Sequence, residues 1–162
     1  MSLLINNILE GSLLTQLQTA INAQGSFGLT YYVSDTATVR VPMPYILIRA
    51  EQAEEQIVPG SGIFKCPVTI QLYSHVKNDT NGLTQAQRDT VTQAIQGFAY
   101  TSAESKLALS NLTVYRVIPV EEQMTADTEL KAFIYSTTWE IYCTPVSATV
   151  APTFPYAVLF GL

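Results

Sequence analysis

The stretch IFKCPVTIQLYSH, residues 63–75, carries the most regular pattern of the chain. Side chains along a β-strand point alternately to the two faces of its sheet. One face of this stretch is largely apolar, and the other is polar and aromatic. The first set is Cys66, Val68, Ile70, Leu72 and Ser74, and the second is Thr69, Gln71, Tyr73 and His75. The alternation predicts a strand whose first face lies on the protein core.

The same stretch holds one of the two cysteines and the only histidine of the chain. Cys66 and His75 are nine positions apart in the sequence. Because nine is odd, the two side chains lie on opposite faces of the strand, and its length places them roughly 30 Å apart. Cys143 alternates with Trp139 and Ile141, which is typical of a small buried side chain. We therefore expect two buried, reduced thiols, and neither a Cys–His dyad nor a zinc site.

The sequence contains no motif that would indicate catalysis or cofactor binding. It lacks the spacings typical of dinucleotide binding, of a phosphate-binding loop and of a serine nucleophile elbow. The glycine-rich PGSG at 59–62 precedes a predicted strand rather than a helix, which favours a flexible turn over an anion site. We expect no enzyme activity, no cofactor and no metal.

Two segments have the pattern of helices. In the first, 12–24, Leu14, Leu17 and Ile21 form an apolar stripe, with Ser12 as a candidate N-cap and Gly25 just past the end. Whether residues 3–9 continue that helix across Gly11 is open from the sequence.

The second helix is predicted over 83–100. Thr84 and Gln87 have the spacing of a capping box, in which each side chain accepts a hydrogen bond from the other residue's backbone. The apolar stripe of this helix is Val91, Ala94, Ile95 and Phe98.

Four further segments are rich in β-branched and aromatic residues and are predicted as strands: 29–35, 44–51, 112–122 and 133–143. The segments 50–62 and 123–132 are predicted as long hairpin loops. The order of helix, strands, helix and strands predicts one α+β domain over residues 1–145, with a mostly antiparallel sheet and two main helices on one face.

The chain is poor in charge, at 13% Asp, Glu, Lys and Arg, with a net charge of −5. Its eight basic residues do not cluster, so a direct grip on nucleic acid is not expected. The loop 50–62 carries Glu51, Glu54 and Glu55 without the pattern of a calcium loop, and a solvated loop is the expectation. The uncharged polar surface favours contacts with other proteins.

Residues 146–162 differ from the rest, because prolines precede an apolar end that cannot easily join a sheet. We expect an extended C-terminal arm that packs on an adjacent subunit or a neighbouring protein; folding back over its own core is the alternative. The side chains that would dock are Phe154, Tyr156, Val158, Leu159 and Phe160.

The order of elements over residues 12–145 resembles that of the tail-terminator (tail-completion) and related head–tail joining proteins of long-tailed bacteriophages. An amphipathic helix leads to a strand entered at MPYILIRAE, an acidic loop and the strand FKCPVTIQLYSH. The helix LTQAQRDTVTQAIQGF and the segments YRVIPVEEQ and FIYSTTWEIYC follow. The resemblance rests on this order, on the Pro-Tyr entry to a strand and on the long hairpin loops.

The resemblance implies a structural virion protein of the tail or neck, assembled in the host cytoplasm. Such subunits form a ring, usually a hexamer, that caps the tail tube protein and meets the connector or neck protein of the head. DNA would pass through the lumen without sequence-specific binding, and no membrane is involved. The loop with Glu51, Glu54 and Glu55 is expected to face the lumen, and a solvated loop outside the ring is the alternative. The alternatives are another neck component, or a non-catalytic α+β binding module with a pocket between helix and sheet.

Overall fold

The computed structural model describes residues 2–33, 43–55, 62–75, 83–100, 112–129 and 131–145. These residues form two helices, α1 (Ser2–Asn22) and α2 (Gln85–Tyr100). They also form six strands: β1 (Thr30–Val33), β2 (Tyr45–Ala50), β3 (Glu54–Glu55), β4 (Phe64–His75), β5 (Leu112–Asp127) and β6 (Ala132–Pro145).

The strands form one sheet in the order β1-β2-β4-β6-β5, with β3 also paired to β4. Every pairing is antiparallel except that of β1 with β2, which is parallel. The predicted α+β fold with a mostly antiparallel sheet is therefore confirmed.

The core lies between the two helices and one face of the sheet. Along β4 buried and half-buried residues alternate as predicted, and Cys66, Val68, Ile70 and Leu72 belong to the same apolar cluster as the buried residues of both helices. We call this face of the sheet the core face and the opposite one, which carries Tyr45, Gln71 and Thr138, the open face.

Helix α1 begins ten residues before the predicted start at Ser12, and it continues through Gly11. Its fully buried residues recur every four positions: Ile5, Leu9, Leu13, Leu17 and Ile21. Each step of four turns about 40° beyond one full turn, so the buried stripe winds around the helix. The predicted stripe was therefore shifted, because Leu14 lies at its margin and Leu13 at its centre. Gly25 lies beyond the turn that follows the helix, not directly after it.

Helix α2 begins with the predicted capping box. The Gln87 amide nitrogen donates to Thr84 Oγ1 at 3.2 Å, and the Thr84 amide nitrogen donates to Gln87 Oε1 at 2.9 Å. Val91 and Ile95 are fully buried, which confirms the apolar face of this helix. The side chain of Phe98 lies outside the described part of the structure.

The prediction of a second long hairpin loop over residues 123–132 is wrong. β5 continues to Asp127 and β6 begins at Ala132, so the connection is a short turn. β5 is an edge strand with register shifts at Tyr115 and Val120, each an extra residue against β6. An edge strand is solvated on one side and needs no apolar alternation, which is why the polar residues 123–127 did not indicate a strand.

The first predicted loop, 50–62, is partly strand as well. Ala50 pairs with Val68 and Glu54 pairs with Lys65, so three residues of one strand face two residues of β4. This one-residue insertion is a bulge that separates β2 from β3. Residues 56–61 and the arm 146–162 lie outside the described residues.

The bulge is held by two polar side chains of α1. Glu10 Oε1 accepts a hydrogen bond from the Ala50 amide nitrogen at 3.0 Å, and Asn6 Oδ1 accepts one from the Ala53 amide nitrogen at 3.1 Å. Both side chains are buried. They satisfy backbone donors that the irregular strand leaves without partners in the sheet.

Candidate functional site

The two cysteines are buried, as predicted, and neither is a candidate nucleophile. Burial raises the pKa of Cys66 to about 12, with smaller contributions from Cys143, Glu10 and Glu51, and burial raises the pKa of Cys143 to about 11. The thiolate is the form of cysteine that attacks or binds a metal, and burial disfavours it in both residues.

His75 lies at the end of β4 on the opposite face from Cys66, as predicted. Its carbonyl oxygen accepts a hydrogen bond from Arg88 Nη1 at 3.0 Å, and the guanidinium lies 4.8 Å from the centroid of the Phe133 ring. Among the described residues, no group of three or more His, Cys, Asp or Glu side chains could hold a metal ion.

The three glutamates that were expected to form one lumen-facing loop are exposed but do not share one surface. Glu54 lies directly opposite Lys65, on the open face. Glu55 is the next residue of the same strand and therefore points to the other side. Its Oε2 accepts a hydrogen bond from the Gly62 amide nitrogen at 3.2 Å. Glu51 lies in the bulge, and its carbonyl oxygen accepts a hydrogen bond from Cys66 Sγ at 3.1 Å.

The five apolar residues of the C-terminal arm lie outside the described residues. The docking role of Phe154, Tyr156, Val158, Leu159 and Phe160 therefore stays a prediction.

The open face carries a cluster of tyrosines. The rings of Tyr45 and Tyr73 stack with centroids 4.6 Å apart, and Tyr32 meets Tyr45 edge to face at 5.8 Å. Burial raises the pKa of both Tyr45 and Tyr73. The tyrosines are visible in the sequence, but their grouping depends on the register of three strands, which the sequence did not provide.

Uncharged polar residues continue this surface along the sheet. The hydroxyls of Thr69 and Thr138 lie 3.3 Å apart across β4 and β6, and the Tyr73 hydroxyl donates to Gln71 Oε1 at 3.2 Å. Charged residues also lie on this face, among them Arg49 near Tyr73 and the paired residues Glu54 and Lys65. Tyrosines among hydrogen-bonding groups are typical of protein–protein contact surfaces.

A polar cleft of about 450 Å³ lies between α2 and the β5–β6 hairpin. Gln96 Nε2 donates a hydrogen bond to Glu122 Oε1 across it. Six described residues line the cleft: Thr92, Gln96, Glu122, Gln123, Met124 and Tyr135.

Two buried hydroxyls in this cleft, Thr92 Oγ1 and Tyr135 Oη, make no hydrogen bond of good geometry within the described residues, although Glu122, Gln96 and Thr137 lie near the Tyr135 hydroxyl. Tyr135 is only 3% exposed. Its burial raises its pKa, and the neighbouring Glu122 carboxylate raises it further, so the phenol stays neutral. A neutral hydroxyl can both donate and accept.

Sequence reasoning missed the cleft. Thr92 and Gln96 lie on one face of α2, one turn apart. In the sequence Glu122 is simply the second of two adjacent glutamates in a polar strand. Only the extension of β5 past residue 122 brings these side chains together with Tyr135.

Comparison of the chain with protein-family models gave no match, and comparison with curated proteins gave none. Neither described helix combines the length and the apolar composition that crossing a membrane requires.

Proposed function

We propose that the chain is a structural virion subunit that forms a closed ring, hexameric like the tail terminators whose element order it resembles, between tail tube and neck. The observation that carries the proposal is the open face of the sheet, with its stacked tyrosines and uncharged polar residues. A surface of this composition is suited to contact with another protein chain.

A closed ring requires two different surfaces on each subunit, because every copy contacts its neighbours head to tail. The tyrosine cluster lies on β1, β2 and β4, toward one edge of the sheet, and β5 forms the other edge. Tyr115 and Val120, the two bulge residues of β5, are more than half exposed. The tyrosine cluster and the β5 edge are our candidates for the two halves of the ring contact.

Native mass spectrometry and negative-stain imaging of the purified chain test this proposal. We expect a particle of six copies with a central hole. A chain that stays monomeric or dimeric at every concentration and salt condition tried would contradict the ring.

The lumen assignment has its own test. The triple change of Glu51, Glu54 and Glu55 to Lys should make the ring retain DNA in a salt-dependent manner, since the new cations release counterions from phosphate. Glu54→Lys and Glu55→Lys, tested singly, then tell which side of the strand faces the lumen. Unchanged DNA retention at low salt would remove the lumen assignment and leave the ring.

The arm is tested by removing residues 151–162. We expect a folded subunit that assembles rings poorly or fails to join heads to tails. Normal rings and normal joining would contradict the docking role, whereas failure to fold would favour an arm that packs on its own core.

A second candidate function, a non-catalytic α+β binding module, is favoured by the cleft beside α2 and its two buried hydroxyls, neither of which makes a hydrogen bond of good geometry within the described residues. A monomer whose melting temperature rises with a small ligand would support this function over the ring. A role as another neck component predicts a ring that binds the connector but does not stop tube growth.

A further inference from the structure

The cleft between α2 and the β5–β6 hairpin has a buried hydroxyl at its base. Tyr135 is 97% buried and lines the cleft. Its hydroxyl lies near Glu122, Gln96 and Thr137 but makes no hydrogen bond of good geometry with them. Thr92 contributes a second buried hydroxyl, from α2, that makes no hydrogen bond within the described residues. A buried polar group without a well-formed hydrogen bond is unfavourable, so a ligand that supplies one recovers that loss on binding.

The charge in the cleft is negative. Glu122 supplies a carboxylate, and Gln96 fixes it in position by donating to one of its oxygens. None of the six lining residues is basic. Arg88 lies on α2 one turn before Thr92, but its guanidinium donates to the carbonyl oxygens of His75 and Leu83 and does not line the cleft.

The cleft therefore offers several acceptors to a ligand: a carboxylate oxygen and two hydroxyls that can each accept. A suitable ligand presents several donors in one rigid group together with positive charge, and guanidinium fits both needs. Met124, which is 55% exposed, adds an apolar surface for a methylene stem. An ammonium group would neutralise the Glu122 carboxylate, but it lacks the rigid, planar set of donors that could reach several separate acceptors at once.

We infer that this cleft binds the guanidinium group of an arginine side chain that a partner protein presents. The inference goes beyond the ring proposal. Every group that it uses belongs to one chain, so it stands whether or not the chain assembles.

Methionine methyl groups offer a reporter that works for a monomer and for a large ring alike. We would label the methionine methyls with ¹³C and titrate the protein with Nα-acetyl-L-arginine amide. Met124 should shift and saturate with a Kd on the order of 1 mM, as suits one partly exposed ion pair. Met43, which precedes β2 and lies outside the cleft, should not shift. The isosteric but uncharged Nα-acetyl-L-citrulline amide should leave Met124 unchanged.

Two variants test the named groups. Glu122→Gln should weaken binding by about five-fold or more through loss of the charge, and Tyr135→Phe should weaken it through loss of the hydroxyl. Glu121→Gln is the matched control, since Glu121 is the preceding residue of β5, pairs opposite Thr138 and lies outside the cleft lining. If Tyr135→Phe does not fold, Thr92→Val replaces it.

Three results would overturn the inference: no saturable shift of Met124, equal binding of the citrulline probe, or wild-type affinity of Glu122→Gln. Absence of rings in native mass spectra would contradict the ring proposal and leave this one untouched.

Discussion

At the scale of single residues, burial decides what the chemically distinctive side chains can do. Cys66 is fully buried and donates its thiol hydrogen to the Glu51 carbonyl oxygen, so it acts as part of the core rather than as a nucleophile. Tyr135 is almost as buried, but its hydroxyl makes no hydrogen bond of good geometry within the described residues, although the Glu122 carboxylate lies near it. The same degree of burial therefore makes one residue structural and the other available to a ligand.

The thiols predict a loss of stability in alkali. Their pKa values in the folded chain are about 12 and about 11, above the ordinary value of 9.0. Below pH 9 both thiols are protonated in the folded and the unfolded chain, and their contribution to stability is complete. Above pH 9 the unfolded chain loses these protons first, so the free energy of unfolding should fall as pH rises toward the folded values.

Urea denaturation in the presence of reductant at pH 8 and pH 10 measures this fall. Cys66→Ala should lower stability by about 1 kcal/mol at pH 8 and should reduce the loss between the two pH values. Rapid labelling of both thiols in the native protein at pH 8 would contradict the burial on which the argument rests.

At the scale of elements, strands and helices were predictable where burial is strictly periodic. β4 alternates along its whole length, and its faces could be assigned without error. The start of α1 was left open because Gly11 is a poor helix former and the polar residues Asn6 and Glu10 lie beside the apolar stripe, yet Asn6 and Glu10 are buried as hydrogen-bond acceptors for the bulge. The parallel pairing of β1 could not be predicted, since no local pattern states the direction of a neighbour.

The bulge should lose stability when the side chains that accept its backbone hydrogen bonds, Glu10 and Asn6, are removed. Glu10→Ala leaves the buried Ala50 amide without its partner and should destabilise the protein by about 1–3 kcal/mol. Asn6→Ala should have a similar effect through Ala53. Glu10→Gln keeps an acceptor at this position and should cost less than Glu10→Ala in urea or thermal denaturation. Equal stability of wild type and Glu10→Ala would mean that the bulge does not need α1.

The capping box of α2 gives an independent prediction. Thr84→Ala removes the acceptor for the Gln87 amide and should cost about 1 kcal/mol. The control is Thr90→Ala in the same helix, where Thr90 Oγ1 bonds only to the Ala86 carbonyl oxygen and alanine has the higher helix propensity. Thermal denaturation should rank Thr90→Ala above Thr84→Ala, and the opposite order would show that the cap contributes little.

At the scale of the whole molecule, the sheet has one face covered by both helices and one that neither covers. The cleft and the tyrosine cluster therefore lie on different sides of the sheet, and a partner at one does not exclude a partner at the other. Neither grouping was predictable from the sequence, because each combines residues from separate strands or from a strand and a helix.

The open face predicts a difference between two lysine substitutions. Tyr45→Lys places a charge within the tyrosine cluster and should reduce assembly, since an unpaired charge is costly in a buried contact. Gln18→Lys adds the same charge at an exposed position of α1 and should leave assembly unchanged. Native mass spectrometry at matched concentrations compares the two. Equal assembly of both variants would place the contact elsewhere.

The tie between α1 and the bulge also bears on the order in which the chain folds. Helix α1 is synthesised before the strands on which it packs, and the backbone donors that Asn6 and Glu10 bind follow 47 and 40 residues later. Closing loops of this length lowers the conformational entropy of the chain, and this loss comes before the contacts can stabilise the structure. The amino-terminal turns of α1 therefore reach their final packing only after β2 and β4 have formed, although they are synthesised before both strands.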